Sequence, residues 1–365
     1  MSNVAYKYRM YPNAIQQQFF MKSFGCCRKI WNLMLSDIHS DLKRGVSYSI
    51  RTPASYKAAY PYLKEVDSLA LANVQMNLKE ALSRYRNKKS KFPNFKSRNK
   101  SRFSYTTNSQ KGSVHIKDSF IKLPKIGYVK IVVHRSVPDD YILKSATVSM
   151  ERDGSFYVSV LYEYERSILC KTLVKGLGLD YSSSHLYVDS NGNMGKPEKA
   201  YRKYERRLGF EQHKLSRKVK GSHNYEKQRL RVAKCHRHIC NVRNDSLHKE
   251  STKIANSYDF VCVESLNMRT LANKGFRNGK ATLDNGYGRF LSMLEYKLDN
   301  RGKILVRIDK FYPSSQLCHV CGYKNPEVKD LKIRKWTCPC CNTYHDRDIN
   351  AAKNILNEGI RLMNM

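Results

Sequence analysis

Two cysteine pairs close to the C-terminal end, Cys318-x-x-Cys321 and Cys338-x-x-Cys341, have the spacing of a four-thiolate zinc ribbon. Each short turn presents two sulfurs to one tetrahedral ion, and two turns complete the coordination. The second pair reads Cys338-Pro339-Cys340-Cys341, so Cys340 is an alternative fourth ligand, and the C-x-x-C spacing selects Cys341. Directly behind the ribbon comes His345-Asp346-Arg347-Asp348-Ile349-Asn350-Ala351-Ala352, an acidic run opening a helix. Two more acids have a matching context. Asp180 ends the apolar strand Val174-Lys175-Gly176-Leu177-Gly178-Leu179-Asp180, and Glu264 ends Phe260-Val261-Cys262-Val263-Glu264. Strands of one sheet that end at the same edge bring their last side chains together, and a helix N-terminus adds a third. Three converging carboxylates repel unless divalent cations sit between them, and Mg²⁺ takes a few carboxylates together with water and phosphate oxygens. Two such ions roughly 3.5–4 Å apart stabilise both the attacking and the leaving oxygen of a phosphodiester. Asp180, Glu264 and Asp348 are therefore the candidate catalytic, metal-binding set, with Asp189, Asp346 and Glu295 as secondary candidates.

The elements that must position these acids can be read from periodicity. Val4 to Met10 alternates like a strand and stops at Tyr11-Pro12. Asn13 then caps a helix with Ile15, Phe19, Phe20, Phe24, Cys27, Ile30, Trp31 and Met34 on its apolar face. A second helix carries Leu69, Leu71, Val74, Met76, Leu78, Leu82 and Tyr85. Arg84 to Arg102 is rich in cations and free of acids, with Phe92, Phe95 and Phe103 available for stacking on an anionic partner. Ser113 to Tyr164 switches to short strands separated by Gly, Pro or Asp, with Arg152-Asp153-Gly154 as a hairpin turn. These predict a small β-barrel that the N-terminal strand completes. In the C-terminal half, Leu186-Tyr187-Val188 pairs back on the Asp180 strand. Basic helices fill Lys199 to Lys253 with a break near Gly221-Ser222. A basic loop (Arg269 to Lys280), a helix (Arg289 to Leu298) and the strand Ile304 to Ile308 precede the ribbon.

Composition narrows the partners. The 365 residues carry 67 Lys and Arg against 31 acids, a formal charge of +36, which points to a polyanion bound through many phosphates. No stretch of eighteen apolar residues exists, so no membrane span is expected, and Met1 to Tyr11 lacks the apolar core of a signal peptide. The 11 cysteines fit metal thiolates in a reducing cytoplasm. Cys26, Cys27, Cys170 and Cys262 read as core residues, and Cys235 and Cys240, beside His236 and His238, lack a paired turn. Lys88, Lys89, Lys91, Lys96, Arg98, Arg202, Arg206 and Arg207 are the candidate nucleic-acid contacts, suited to tracking phosphates rather than base edges.

Taken in order, these motifs resemble TnpB, the transposon-encoded RNA-guided DNA endonuclease family related to the compact type V CRISPR effectors. The resemblance rests on the acid-ended strand, basic helices, Glu-ended strand, C-x-x-C pairs and Asp346-Arg347-Asp348-Ile349-Asn350-Ala351-Ala352. It extends to Tyr11-Pro12 with Gln16 to Gln18, Gly25-Cys26-Cys27-Arg28, Trp31-Asn32, Phe92-Pro93-Asn94-Phe95-Lys96 and Met293-Leu294-Glu295-Tyr296-Lys297, nearly the whole chain. Tyr181-Ser182-Ser183-Ser184 departs from the family's more usual run after the first acid.

What the resemblance implies is a multidomain α+β protein. Residues 1–11 and 113–170 would form a discontinuous wedge-like β-barrel, and 12–112 a helical recognition lobe with the basic box. Residues 171–311 and 346–365 would form a RuvC, RNase H-like α/β nuclease domain, and 312–345 the inserted zinc ribbon. The catalytic triad falls on Asp180, Glu264 and Asp348 with two Mg²⁺, Mn²⁺ substituting. One structural Zn²⁺ falls on Cys318, Cys321, Cys338 and Cys341. The implied partners are a guide RNA from the transposon end and a double-stranded DNA target with its displaced single strand. The protein would read a short adjacent motif and base pairing the rest. The expected form is a cytoplasmic monomer.

Three rivals compete with this reading. Loss of any of the three acids would favour a catalytically inactive RNA-guided DNA-binding repressor, and all three are present. A zinc-ribbon transposase accessory or regulatory protein explains the cysteines and charge but not the acid-ended strands. A single-strand transposase needs His-hydrophobic-His, whereas His236-Arg237-His238 places Arg between its histidines.

Overall fold

Alternation at the N-terminus and helical periodicity after it give the first elements of a computed structural model that describes residues 2–165, 173–273 and 279–364. The chain divides into two compact units, Met1–Ser167 and Ile168–Met365. In the first, β1 (Ser2–Tyr11) leads into α1 (Ala14–Lys43). Asn13 caps that helix reciprocally with Gln16: Asn13 Oδ1 accepts from the Gln16 amide at 2.9 Å, and Gln16 Oε1 from the Asn13 amide at 3.0 Å. Asp67 caps α2 (Ser68–Arg86), and its other oxygen accepts from Thr107. Of the apolar residues expected on α2, Leu71, Val74, Leu78 and Leu82 are buried, while Met76 and Tyr85 face solvent.

Six more strands follow: β2 (Phe103–Asn108), β3 (His115–Lys117), β4 (Phe120–Leu123), β5 (Gly127–Val132), β6 (Ile142–Met150) and β7 (Phe156–Tyr164). With β1 they make one antiparallel sheet in the order β2-β6-β7-β1-β5-β4-β3. The sheet curls like a barrel, and no ladder joins β2 to β3 among the described residues. β1 lies between β7 and β5, so the N-terminal strand is central. Phe103–Asn108, placed by sequence in the helical segment, is a strand with Tyr105 and Thr107 facing inward. Its short alternation was masked by the basic run before it. Phe20 and Phe24 of α1 pack on Tyr105, Phe103 and Phe156, so helices and sheet share one core.

The second unit opens with β8 (Gly176–Tyr181) and its antiparallel partner β9 (Tyr187–Asp189). Then come α3 (Ala200–Ser216), α4 (His223–Ser257), β10 (Phe260–Glu264), α5 (Met268–Leu271), α6 (Gly279–Asn285), α7 (Tyr287–Asp299) and β11 (Ile304–Ile308). Ser222 caps α4, the helix break expected near Gly221. The ribbon supplies β12 (Lys335–Thr337) and β13 (Tyr344–Asp346), and β13 runs straight into α8 (Arg347–Met363). The sheet order is β11-β10-β8-β9, with β11, β10 and β8 parallel. Cys170, the 170/171 boundary and positions 274–278 of the basic loop lie outside the described residues.

Parallel strands buried on both faces carry two apolar sets in alternation. Leu177, Leu179, Val261 and Val263 face α4 and α7, where Leu247, Ile254, Phe290, Leu294 and Leu298 receive them. Phe260, Cys262 and Ile308 face the other way, with Ile355 of α8. On β8 that second face is glycine, which lets α8 lie against the strand. A Cβ on Gly178 would stand 2.0 Å from the Ala352 carbonyl oxygen, and one on Gly359 2.1 Å from Cys262 Sγ. Gly178→Ala is therefore expected to destabilise this unit by about 2–3 kcal/mol in chemical denaturation. Gly209→Ala, on open helix surface in the middle of α3, serves as the contrast and should stabilise by about 0.5–1 kcal/mol. Equal stability of the two variants would refute the α8–β8 packing.

Candidate functional site

Strand parity decides where the acids go. Side chains two apart share a face, so Asp180 lies on the glycine face of β8 and Glu264 on the Phe260–Cys262 face of β10, both toward α8. The last paired residues are Leu179 and Val263, so one further step in register sets Asp180 beside Glu264. Along β8 the helix α8 runs back against the strand direction, with Ala352 over Gly178 and Leu356 over Gly176, and it crosses to β10 where Gly359 meets Cys262. Its first turn, bearing Asp348, thus sits at the strands' C-terminal ends. The three acids named from sequence face these ends, where the charges of Glu264 and Asp348 reach Asp180. Their oxygens are not drawn into a ready-made ion cluster as the four cysteine sulfurs are.

Their electrostatics follow from that placement. The Asp180 carboxyl is pushed well above the usual carboxylate range, first by burial, then by the charges of Glu264 and Asp348, with Arg347 opposing. Burial also raises Glu264, partly offset by a hydrogen bond that Ser314 Oγ donates to Glu264 Oε1 at 2.6 Å. Asp348 meets Arg334 of the ribbon at 3.4 Å. Hard oxygen donors that repel one another and are partly withdrawn from water fit divalent cations of the Mg²⁺ class.

The secondary candidates have structural work. Asp346 Oδ1 caps α8, accepting from the amides of Asp348 and Ile349 at 3.0 and 3.2 Å. Asp189 accepts from the amides of Asn191 and Asn193 at 2.9 and 2.8 Å and so shapes its own turn. Glu295 pairs with Arg307 at 3.1 Å on the surface. Asp284, which sequence reasoning missed, is buried. It accepts from the first amides of α3 (Tyr201, 2.8 Å; Arg202, 3.2 Å) and from Arg243 at 3.2 Å. The unusual loop after Asp180 is held by Asn285, whose Nδ2 donates to the carbonyls of Ser182, Ser183 and His185.

In the ribbon the ligand atoms of Cys318, Cys321, Cys338 and Cys341 all lie within 4.8 Å of one another. Tetrahedral Zn–S bonds of about 2.3 Å put sulfurs roughly 3.8 Å apart. The Cys318–Cys341 and Cys321–Cys338 pairs stand at 3.6 Å each. The four sulfurs fit zinc, and Cys340 is exposed outside the group. His345 Nε2 lies 3.1 Å from Cys318 Sγ and its ring packs on Trp336. Among the described residues this is the one such cluster, so Cys235 and Cys240 are not gathered around an ion.

The basic residues divide into two kinds. Lys88, Lys89, Lys91, Arg98, Arg202, Arg206 and Arg207 are exposed. Lys96 instead lies with Nζ 3.7 Å from the centroid of a Trp31 ring, and burial lowers its pKa. Its backbone is clamped by Asn32, which accepts from the Lys96 amide at 2.8 Å and donates to its carbonyl at 2.9 Å. Phe92 packs edge-on against His39 and Tyr85, and Phe95 stacks on His39 at 5.4 Å. The Phe92–Lys96 box is docked on α1 rather than waving in solvent.

Comparison with known proteins fits this architecture. Residues 287–355 match the Cas12f1-like TNB domain, 159–274 a family described as "Probable transposase", and 1–45 a "Helix-turn-helix domain". That last segment is here a strand and one uninterrupted helix. A relative from Streptomyces pristinaespiralis, with the name "Putative RNA-guided DNA endonuclease", is 34% identical across 98% of this chain and 89% of its own length. The chain belongs to the TnpB family. InsQ of Escherichia coli K12, another TnpB-family relative with the same kind of name, is 29% identical over 97% of this chain and 92% of its own. Cas12f1, solved with sgRNA and target DNA, shares the fold at a TM-score of 0.60 and 15% identity. The match covers 95% of this TnpB-family chain and 83% of Cas12f1. No described helix is long and apolar enough to cross a membrane.

Proposed function

We propose that this chain is an Mg²⁺-dependent, RNA-guided DNA endonuclease encoded by an insertion sequence. The observation that carries the reading is the placement of Asp180, Glu264 and Asp348 at the C-terminal ends of β8 and β10 under α8, in a chain whose relatives include two with the name "Putative RNA-guided DNA endonuclease". Asp180, Glu264 and Asp348 would hold the catalytic metal. Bound there, two ions would supply a hydroxide nucleophile and stabilise the leaving oxygen of a DNA phosphodiester. The chain's own task is to orient three carboxylates and limit their repulsion: Ser314 directs Glu264, Arg347 offsets the charge at Asp180, and Asp346 fixes the helix turn carrying Asp348. Zinc at Cys318, Cys321, Cys338 and Cys341 is structural, since all four positions are thiolates and no ligand position stays open.

The curled sheet of β1 to β7 with the helices α1 and α2 would grip the guide RNA. The ribbon (312–345) would handle target DNA delivered to the 171–311 and 346–365 nuclease domain. Exposed Lys88, Lys89, Lys91, Arg98, Arg202, Arg206 and Arg207 would track phosphates, while Lys96 would keep the box rigid. The test is to express the full chain with its transposon end, sequence the copurified RNA, and reprogram that RNA toward a plasmid. One discrete RNA species and Mg²⁺-dependent cutting at the programmed site are expected. Programmed binding without cutting would replace the nuclease by a guided repressor.

A further inference from the structure

We infer that Ser314 is a positioning residue for the acid site, and that α8 and the base of the ribbon together set the spacing between Glu264 and Asp348. This rests on the proposed metal site and adds the device that shapes it. Ser314 is 7% exposed and donates through Oγ to Glu264 Oε1 at 2.6 Å, so one carboxylate oxygen is pinned and the other is left for a cation. The serine is itself held from below. Asn354 Nδ2 donates to the Ser314 carbonyl at 2.7 Å and to the Leu317 carbonyl at 2.6 Å. Asn350 Nδ2 donates to Leu317 O at 2.7 Å, and its Oδ1 accepts from both the amide and Nδ1 of His319 at 3.0 Å.

Asn350 and Asn354 are four apart on α8 and so share a face, and Asp348 is in the first turn of the same helix. His319 lies between the zinc-ligand positions Cys318 and Cys321. The segment 314–319 is thereby stapled along α8 at one side and reaches Glu264 at the other. A single rigid unit connects the acid on β10 to the acid on α8. Without the serine, Glu264 would keep its place on the strand but lose its rotamer, and a cation would have to order it on binding.

The test compares wild type with Ser314→Ala, Ser314→Thr and Asn354→Ala as full-length proteins. Zinc content and thermal melting establish that each is folded. Two readouts are taken: Mn²⁺ binding to the protein alone by EPR, with Asp180→Asn as the blank, and cleavage by the guide-RNA complex against Mg²⁺ concentration. Ser314→Ala is expected to weaken acid-site Mn²⁺ binding about tenfold and to move the Mg²⁺ midpoint upward by a similar factor. Saturating Mg²⁺ should restore most of the rate, zinc should be unchanged, and Thr should restore both midpoints. Asn354→Ala should shift them in the same direction. An unchanged Mn²⁺ affinity, or a uniform rate loss at an unchanged Mg²⁺ midpoint, overturns the inference, as does wild-type Mn²⁺ binding no tighter than the blank. A wild type that binds Mn²⁺ above the blank but never cuts programmed DNA would defeat the nuclease reading alone, and the EPR comparison would still decide the role of Ser314.

Discussion

Asp180→Asn should abolish programmed DNA cleavage, by on the order of a thousandfold or more, while guide-RNA and target binding stay within about twofold. The expected loss corresponds to about 4 kcal/mol of transition-state stabilisation, the scale on which a metal ligand acts. Binding should survive because affinity for phosphate backbones resides in the cations of a chain with a formal charge of +36, not in its acids. A plasmid-cleavage time course beside a filter-binding isotherm measures both, and wild-type cutting by the variant would remove Asp180 from the site.

The same substitution has an opposite effect on stability. Burial and the neighbouring acids raise the Asp180 carboxyl above its ordinary range, so the folded chain holds that proton more tightly than the unfolded one. Such a group contributes its stability below the unfolded pKa of about 4 and loses it as pH rises through the folded pKa. At neutral pH without added divalent cation, ionising Asp180 in the folded chain is therefore unfavourable. The neutral Asn should raise the melting temperature of the C-terminal unit by about 2–4 °C, for roughly 1 kcal/mol. That gain should fade on acidification toward pH 4. A variant that melts lower at neutral pH would show that Asp180 is not strained by its neighbours. On the proposed reading, the acid site would trade stability for metal affinity.

Cys338→Ser is the second large effect. Beyond its sulfurs, the ribbon buries only a small apolar set around Val328 and Trp336, too little to fold unaided. Structural zinc supplies about 10–16 kcal/mol in comparable small modules. Losing one thiolate should take zinc from one per chain to near none by elemental analysis, and cleavage should fall more than about a hundredfold. The second loss follows because Asn350 and Asn354 would have no ordered segment to hold at 317–319. Cys340→Ser should keep full zinc and full activity, since Cys340 lies outside the four-sulfur group. Zinc loss in Cys340→Ser, or retention in Cys338→Ser, would reverse the ligand assignment.

Much of this site is legible before folding because its signals are local. A C-x-x-C turn, an apolar strand ending on an acid and an acid in a helix's first turn are each contained in a few residues. Asn13 with Gln16 and Ser222 as helix caps belong to the same class. What stayed hidden depends on partners far along the chain. Phe103–Asn108 becomes a strand only because β6 pairs with it, some forty positions later. Lys96 reads as one more cation in a basic run, and only its distant neighbour Trp31 makes it part of a docked box. Ser314 in an ordinary loop and Asp284 in a short helix gave no signal in composition or spacing.

By itself, the sequence determined the charge, the zinc-ligand spacing, the three acids and the family, since residue type and short-range spacing carry them. Tertiary structure alone decided that Asp180 and Glu264 share the face toward α8, through strand parity and parallel register. It also decided that Asp346 caps α8, that Cys340 stands apart, and that Ser314 reaches Glu264. The physical reason is common to all four. A carboxylate's or thiol's chemistry is set by what lies within a few ångströms, and for these groups decisive neighbours arrive only when strands pair and α8 packs down.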